Sequence, residues 1–318
     1  MARIVLTAFV MLVCALPATA QQYPDRPLTL LSGYPAGGLV DIVARILAEG
    51  MKPKFPKGVV VLNRTGAGGG LAAGEVATGK PDGYTVVLAP LSTLVIQPQL
   101  SELRFKTPDE YEPVINVVSY YPLLVVRPDA PWKTIQEFVA EAKANPGKLR
   151  VGTPGEGTSS HLNLEEFMSV AGIKLTHVPY RGWAESSPAM LGGHIEAVVA
   201  QPGEALPFVE AKKMRALVVF QNARHPGFPG VPTAKEAGLN VANGVWYLLI
   251  APKGTSAPII KYLHDAAKAA IEEPSFATQM AQRGIDVDYR PGDKVRADLW
   301  REYRAHTAIL KRIGLIKQ

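Results

Sequence analysis

Ser32-Gly33-Tyr34-Pro35-Ala36-Gly37-Gly38-Leu39-Val40-Asp41 is the stretch on which the reading of the whole chain turns. An apolar run of strand length, Leu28-Thr29-Leu30-Leu31, precedes it. After it, apolar residues recur at Leu39, Ile42, Val43, Ile46 and Leu47, which is helical spacing. The stretch is therefore a strand-to-helix turn. Gly37 and Gly38 let a ligand approach the backbone. The first N–H groups of the following helix have no partner inside it, and the helix dipole favours negative charge there. A small anion suits such a turn, although a tight βα turn with no ligand uses the same residues.

Toward the N-terminus, Arg3 leads into the apolar run Ile4 to Leu16 and then Ala18-Thr19-Ala20. This pattern predicts a secretory signal peptide over residues 1–20, and hence a periplasmic protein in a bacterium. The run falls short of the ~20 apolar residues that a membrane span requires. Cys14, the one cysteine, lies within it, so no disulfide or thiol chemistry is expected of the exported protein. At 318 residues the chain is long enough for two domains. Its net charge of +6 comes from scattered rather than clustered Lys and Arg, which argues against nucleic acid as a partner. A mild positive charge suits small anions.

Downstream, strand-like segments alternate with helical ones. Strands are expected near 59–62, 84–89, 150–152, 175–178, 195–200, 216–220 and 245–251. Helices are expected near 71–77, 134–144, 259–271, 276–283 and 296–313. This is an α/β pattern with parallel strands flanked by helices. Ligands in such sheets sit beyond the carboxyl ends of the strands. Ser92 and Thr93 fall at one such end. In a second block, Thr153-Pro154-Gly155 leads through Ser159-Ser160-His161 into a helix, and Tyr180-Arg181-Gly182-Trp183 follows another strand.

No catalytic set emerges. Gly74 to Lys80 has P-loop spacing, but Pro81 stands where Ser or Thr must hold magnesium. Gly68 to Ala73 fits the loose dinucleotide pattern, yet no acidic residue ends a following strand at the usual distance. Ser159, Ser160 and His161 are adjacent hydroxyls and imidazole without a nucleophile elbow. His161 and Glu165 lie one helical turn apart, which suits a metal but is commoner as a helical side-chain pair. Arg181 has the chemistry to fork onto a carboxylate or to make a surface ion pair. Tyr34, Tyr180, Trp183 and Trp246 either line a cleft or belong to the core. The residues suit binding better than conversion, and no cofactor or metal is expected.

Taken in order, the motifs resemble the extracytoplasmic solute receptors of tripartite tricarboxylate transporters, the Bug or TctC-like receptors. The resemblance runs from Tyr23 to the C-terminus. It is carried by Tyr23-Pro24-Asp25-Arg26-Pro27, Tyr34-Pro35-Ala36-Gly37-Gly38 with Asp41, Asn63-Arg64 with Gly66-Ala67-Gly68-Gly69, and Lys80-Pro81-Asp82-Gly83-Tyr84. Gly152-Thr153-Pro154-Gly155 with His161, Pro179-Tyr180-Arg181-Gly182, Leu191-Gly192-Gly193 and Ala251-Pro252-Lys253-Gly254 continue it.

The resemblance implies a two-lobed type II periplasmic binding protein of the Venus-flytrap kind, each lobe a mostly parallel sheet flanked by helices. Two crossovers would divide it into 21–123 with 246–318 as one lobe and 124–245 as the other. It implies a small carboxylate ligand: an amino acid, a di- or tricarboxylate or an aromatic acid. Backbone N–H groups of Ala36 to Gly38, with Tyr34 and Pro35, would grip one carboxylate. Ser92, Thr93, Thr153, Gly155, Ser159, Ser160, His161, Tyr180, Arg181, Gly182, Gln201 and Trp246 complete the expected site. The implied partners are membrane subunits of such a transporter, and the receptor itself would be a monomer. A sensor role in a two-component system and an exported α/β enzyme are the alternatives. Departures from the family pattern at Thr65, Glu185, Ser186, Glu196, Ala200 and Gln201 fall partly on ligand-facing loops and leave the substrate open.

Overall fold

The computed structural model describes residues 23–221, 223–241 and 244–316. The expected export signal over 1–20 lies outside the described residues. Strand β1 (Leu28–Ser32) ends where the glycine turn begins, and helix α1 (Leu39–Met51) starts where it stops. Val40, Val43, Ala44, Leu47, Ala48 and Met51 form the buried face of α1, the spacing that marks an amphipathic helix. Strands β2 (Val59–Asn63) and β3 (Thr85–Pro90) flank β1, both parallel to it. Helix α2 (Gly70–Ala77) connects them, and the short helices α3 (Leu91–Val95) and α4 (Gln97–Leu100) follow β3.

Strand β4 (Tyr111–Tyr120) belongs to this first sheet, and the chain then leaves it through Tyr121-Pro122. The second sheet comprises β5 (Leu123–Val126), β6 (Arg150–Thr153), β7 (Thr176–Pro179), β8 (Ala197–Ala200) and β9 (Arg215–Val219). Helices α5 (Ile135–Ala144), α6 (Ser159–Ala171), α7 (Trp183–Leu191) and α8 (Pro202–Glu210) connect its strands. The chain then returns to the first sheet as β10 (Val245–Pro252), and β11 (Asp286–Pro291) closes that sheet's edge. Helices α9 (Ala257–Glu272), α10 (Pro274–Ala281) and α11 (Gly292–Arg312) complete the first lobe. No described helix is long and apolar enough to cross a membrane.

The strand orders are β11-β4-β10-β3-β1-β2 and β7-β6-β8-β5-β9. The fold is two α/β lobes, and in each sheet most strands run one way, with β10 and β11 reversed in the first and β5 in the second. β1 is parallel to β2 and β3, and β6 is parallel to β7 and β8. β10 runs antiparallel to β3 and β4, and β5 antiparallel to β8 and β9. The reason is the crossover itself. A strand arriving from the other lobe enters at the cleft end, where the parallel strands finish, and so runs against them.

The glycine run Gly66 to Gly70 serves packing. A Cβ on Gly33 would stand 2.5 Å from the Gly69 Cα, and one on Gly69 would stand 2.8 Å from Thr93 Oγ1. The backbones after β1 and β2 touch only because neither residue carries a side chain. Gly33→Ala is expected to lower unfolding free energy by about 1–3 kcal/mol, the range for overpacking. Urea denaturation with an unchanged midpoint would contradict this close approach.

Candidate functional site

In both lobes, the strand order reverses beside the first parallel strand, as β2-β1-β3 and as β7-β6-β8. Loops leaving neighbouring strands at such a point diverge to opposite faces and leave a crevice. The two crevices face each other across a cavity of about 590 Å³. Tyr34, Pro35, Gly37 and Gly38 line it after β1, and Ser92 after β3. The second lobe contributes Pro154, Thr158, Ser159 and Ser160 after β6, Arg181, Gly182 and Trp183 after β7, and Gln201, Gly203 and Glu204 after β8. Tyr120, Val245, Tyr247 and Arg283 also line it.

The first glycine turn is shaped by a buried carboxylate. Asp41 accepts the Gly37 N–H (2.9 Å), Arg45 Nε (2.9 Å) and Asn63 Nδ2 (2.8 Å). Asn63 also donates to the Tyr34 carbonyl at 2.9 Å. Burial pushes the Asp41 carboxyl up, but hydrogen bonds from Arg45, Gly37 and Asn63 outweigh it and hold the group below the usual carboxylate range. The Gly38 N–H is donated to the Pro35 carbonyl at 3.1 Å. The expected grip by the N–H groups of Ala36 to Gly38 is thereby revised. Two of the three close the turn, and Ala36 itself is exposed outside the cavity lining. The donors left for an anion are the first-turn N–H groups of α1, at Leu39 and Val40, whose residues line the cavity.

Tyr34, Pro35, Gly37, Gly38, Ser92, Ser159, Ser160, Arg181, Gly182 and Gln201 are brought together as expected. Thr93, Thr153, Gly155, His161, Tyr180 and Trp246 stand behind them. Thr93 donates to the Gly68 carbonyl at 2.6 Å and meets the Tyr34 hydroxyl at 3.2 Å. The Thr153 hydroxyl, fully buried, bonds His177 Nε2 (2.7 Å) and the Gly155 carbonyl (3.2 Å). His161 accepts the Gly157 N–H through Nδ1 (3.1 Å) and stacks on His177 with ring centroids 3.9 Å apart. Its base nitrogen is therefore engaged by backbone rather than by a serine. The Tyr180 ring packs beside Gly152 in the second lobe's core. Trp246 faces away because side chains alternate along β10. Val245 and Tyr247 face the cavity, while Trp246 lies on the other face under the Arg290 guanidinium, 3.9 Å from the ring centroid.

The electrostatics favour anions. Helices α1, α6, α7 and α8 all begin at the cavity. Arg181 is exposed into it, and among the described residues its guanidinium makes no ion pair. The one acidic lining residue is Glu204, in the first turn of α8. Burial pushes its carboxyl up to about 7, and a long hydrogen bond from the Gln201 N–H (3.4 Å) offsets little of that. Glu204 was not anticipated because α8 holds Pro202 and Pro207, which hide its helical pattern. The rule that ligands gather beyond strand ends would have found it after β8.

Unfolded, this carboxyl loses its proton near its ordinary value of 4.5; folded, it keeps the proton to about 7. Stability is therefore lost as pH rises between those values. Glu204→Gln is expected to raise unfolding free energy by roughly 1–2 kcal/mol at about pH 8 and to change it little at about pH 4, allowing for partial exposure. Equal effects at both pH values in thermal denaturation would contradict the burial argument.

The family model described as "Tripartite tricarboxylate transporter family receptor" matches residues 43–315. A Cupriavidus necator protein described as "UPF0065 protein in gbd 5'region" is 37% identical over 305 residues, covering 95% of this chain and 93% of its own. Among solved structures, the periplasmic binding protein BugD is 29% identical with a TM-score of 0.81, covering 93% of this chain and 100% of its own. MatC from Rhodopseudomonas palustris, solved with bound malate, is 28% identical with a TM-score of 0.80 over 91% of this chain and 100% of its own. Another R. palustris protein, solved with adipate, is 25% identical with a TM-score of 0.82 over 92% and 98%. With the match running through both sheets, the chain belongs to the tripartite tricarboxylate transporter family of receptors, periplasmic solute-binding proteins rather than enzymes.

Proposed function

We propose that the interlobe cavity captures a small carboxylate and that the chain delivers it to the membrane subunits of a tripartite tricarboxylate transporter. The observation that carries this reading is the convergence of four helix N-termini and the unpaired Arg181 guanidinium on one cavity. Helix N-termini hold carboxylates by exposed N–H donors and by the dipole together. Ser159 and Ser160 add hydroxyls at the start of α6. Arg181 supplies a two-pronged donor for a second oxygen pair. The malate and adipate found in solved relatives are ligands of this chemical class.

The energetics are compatible. Three or four charge-assisted hydrogen bonds at ~1.5–3 kcal/mol each sum to roughly 5–10 kcal/mol. Micromolar affinity requires about 8 kcal/mol net. Apolar contact must offset the cost of association, and Tyr120, Tyr247 and Trp183 line the cavity to provide it. This favours acids with a carbon chain or ring over the shortest ones. In the same reading, the signal peptide over 1–20 directs export, the lobes divide as 21–123 with 246–318 and 124–245, and the receptor works as a monomer.

A thermal-shift screen against a broad set of carboxylates tests this. A ligand at 100 times its dissociation constant adds about 2.7 kcal/mol of stability. A screen in which no acid raises the melting temperature would refute the carboxylate reading. Arg181→Ala is expected to weaken the best ligand by about tenfold or more, as loss of a charge-assisted contact implies. An unchanged dissociation constant by calorimetry would place Arg181 outside the binding contacts.

A further inference from the structure

The turn between β6 and α6 meets the first lobe at Gly157. This residue, at φ +67°, lies against α4, where a Cβ on it would stand 2.2 Å from the Leu100 side chain. Its carbonyl accepts a long hydrogen bond from Gln97 Nε2 at 3.5 Å. The Gln97 side chain is itself pressed on Gly68, where a Cβ would stand 2.6 Å away. The Gly157 N–H is donated to His161 Nδ1 at 3.1 Å. One imidazole therefore ties down the residue through which this turn touches the first lobe. The next residues of the chain, Thr158, Ser159 and Ser160, line the cavity.

A nitrogen that accepts carries no proton, so His161 is neutral with its proton on Nε2, which lies 3.5 Å from Glu165 Oε1. The residue is 4% exposed, and its ring stacks on His177 with centroids 3.9 Å apart and planes 13° apart. His177 Nε2 lies 2.7 Å from the Thr153 hydroxyl, which donates to the Gly155 carbonyl of the same turn at 3.2 Å. Helix α6 brings one carboxylate to the pair, Glu165, and β7 brings His177 itself. From β6 and α4 come the uncharged Thr153 and Gln97. Glu156 of the turn is exposed, and Arg312 of α11 meets α6 farther along, at Ser169 Oγ (2.9 Å). A proton on His161 Nδ1 would set a donor against the Gly157 N–H and leave that N–H without its acceptor, which is costly in a buried place. Leu100 fills the space toward α4, so the turn yields by moving away from the first lobe.

On the reading that the cavity binds a carboxylate, we propose that His161 is a positioning residue for capture: neutral, it holds the Gly157 turn against the first lobe, and protonated, it frees the turn, loosens the contact between the lobes and releases the ligand. Histidine is the side chain whose charge changes between about pH 5 and 8. His177 acts in the same direction. Burial first, and His161 second, hold its imidazole down from the ordinary 6.5 to about 4. A turn that has come apart takes that proton sooner than the packed one. The packed arrangement is therefore fully favoured above 6.5 and loses stability as pH falls toward about 4.

Calorimetry with malate and with adipate, beside a ligand-free measure of lobe separation, tests this role. Nitroxide labels on Glu102→Cys, just after α4, and on Lys174→Cys in the second lobe report the separation; both positions are exposed. His161→Asn puts an amide oxygen where Nδ1 stands and takes no proton. His161→Phe keeps a ring to stack on His177 and accepts nothing. Between about pH 7.5 and about pH 5, binding to the native protein is expected to weaken about fivefold more than binding to His161→Asn, and the label distance to lengthen in the native protein alone. Ionisation of the ligand and of Glu204 is common to both proteins and cancels in that comparison. His161→Phe is expected to give the weak binding and the long distance at both pH values; if it does not fold, native protein against His161→Asn is sufficient. An equal pH response in native protein and His161→Asn overturns the role of His161 and leaves the carboxylate reading standing. If neither acid binds at either pH, the label distances decide the role of His161 by the same comparison, and the thermal-shift screen decides the carboxylate reading.

Discussion

The site depends first on the Asp41 carboxylate. It lies 2% exposed at the start of α1, tied to the Gly37 N–H, to Arg45 and to Asn63 at the end of β2. Through Asn63 it also fixes the Tyr34 carbonyl. One side chain thus locks the turn after β1 to the neighbouring strand. Its negative charge sits where the helix dipole is positive, which stabilises both. It also consumes the Gly37 N–H, which leaves the first-turn N–H groups of α1 as the donors facing the cavity. Arg45 balances the charge, and the cavity keeps its attraction for anions.

The second constraint is the seam between lobes beside the cavity. A Cβ on Gly203 would stand 2.0 Å from the Arg283 carbonyl oxygen, and one on Gly284 would stand 2.8 Å from the Pro202 side chain. His225 reaches across the same seam, with Nε2 3.0 Å from the Gly284 carbonyl and Nδ1 accepting the Gly227 N–H at 3.0 Å. That arrangement makes Nε2 the protonated nitrogen. The start of α8 is therefore held against the first lobe, which sets Gln201 and Glu204 at the cavity wall. That wall of the cavity is positioned by glycines without room for a side chain.

Much of the fold was legible because local patterns agree with it. The strand β1, the helix α1 and the parallel units around them follow from apolar periodicity and turn chemistry. Strand β4 was missed. It is buried along almost its whole length, with Pro113 and Asn116 interrupting its apolar run, so neither alternation nor an uninterrupted apolar stretch marks it. Strand β11 is polar and closes an edge, where burial writes no pattern. The mixed sheets follow from the crossovers, which join segments distant in sequence.

The sequence by itself determined the family, the two-lobed plan and the turns that frame the cavity. These depend on short-range features: glycines at tight turns, helix starts after strands and the order of motifs along the chain. Only the tertiary structure decided which side chains face the ligand. Trp246 and Tyr247 are neighbours in sequence, yet the two-residue period of a strand sends one to the core and the other to the cavity. Ser160 and His161 are likewise adjacent, yet the first lines the cavity while the second turns back to the Gly157 N–H. Glu204 becomes part of the site because α8 packs across the seam, a contact between residues far apart in the chain that no local signal encodes.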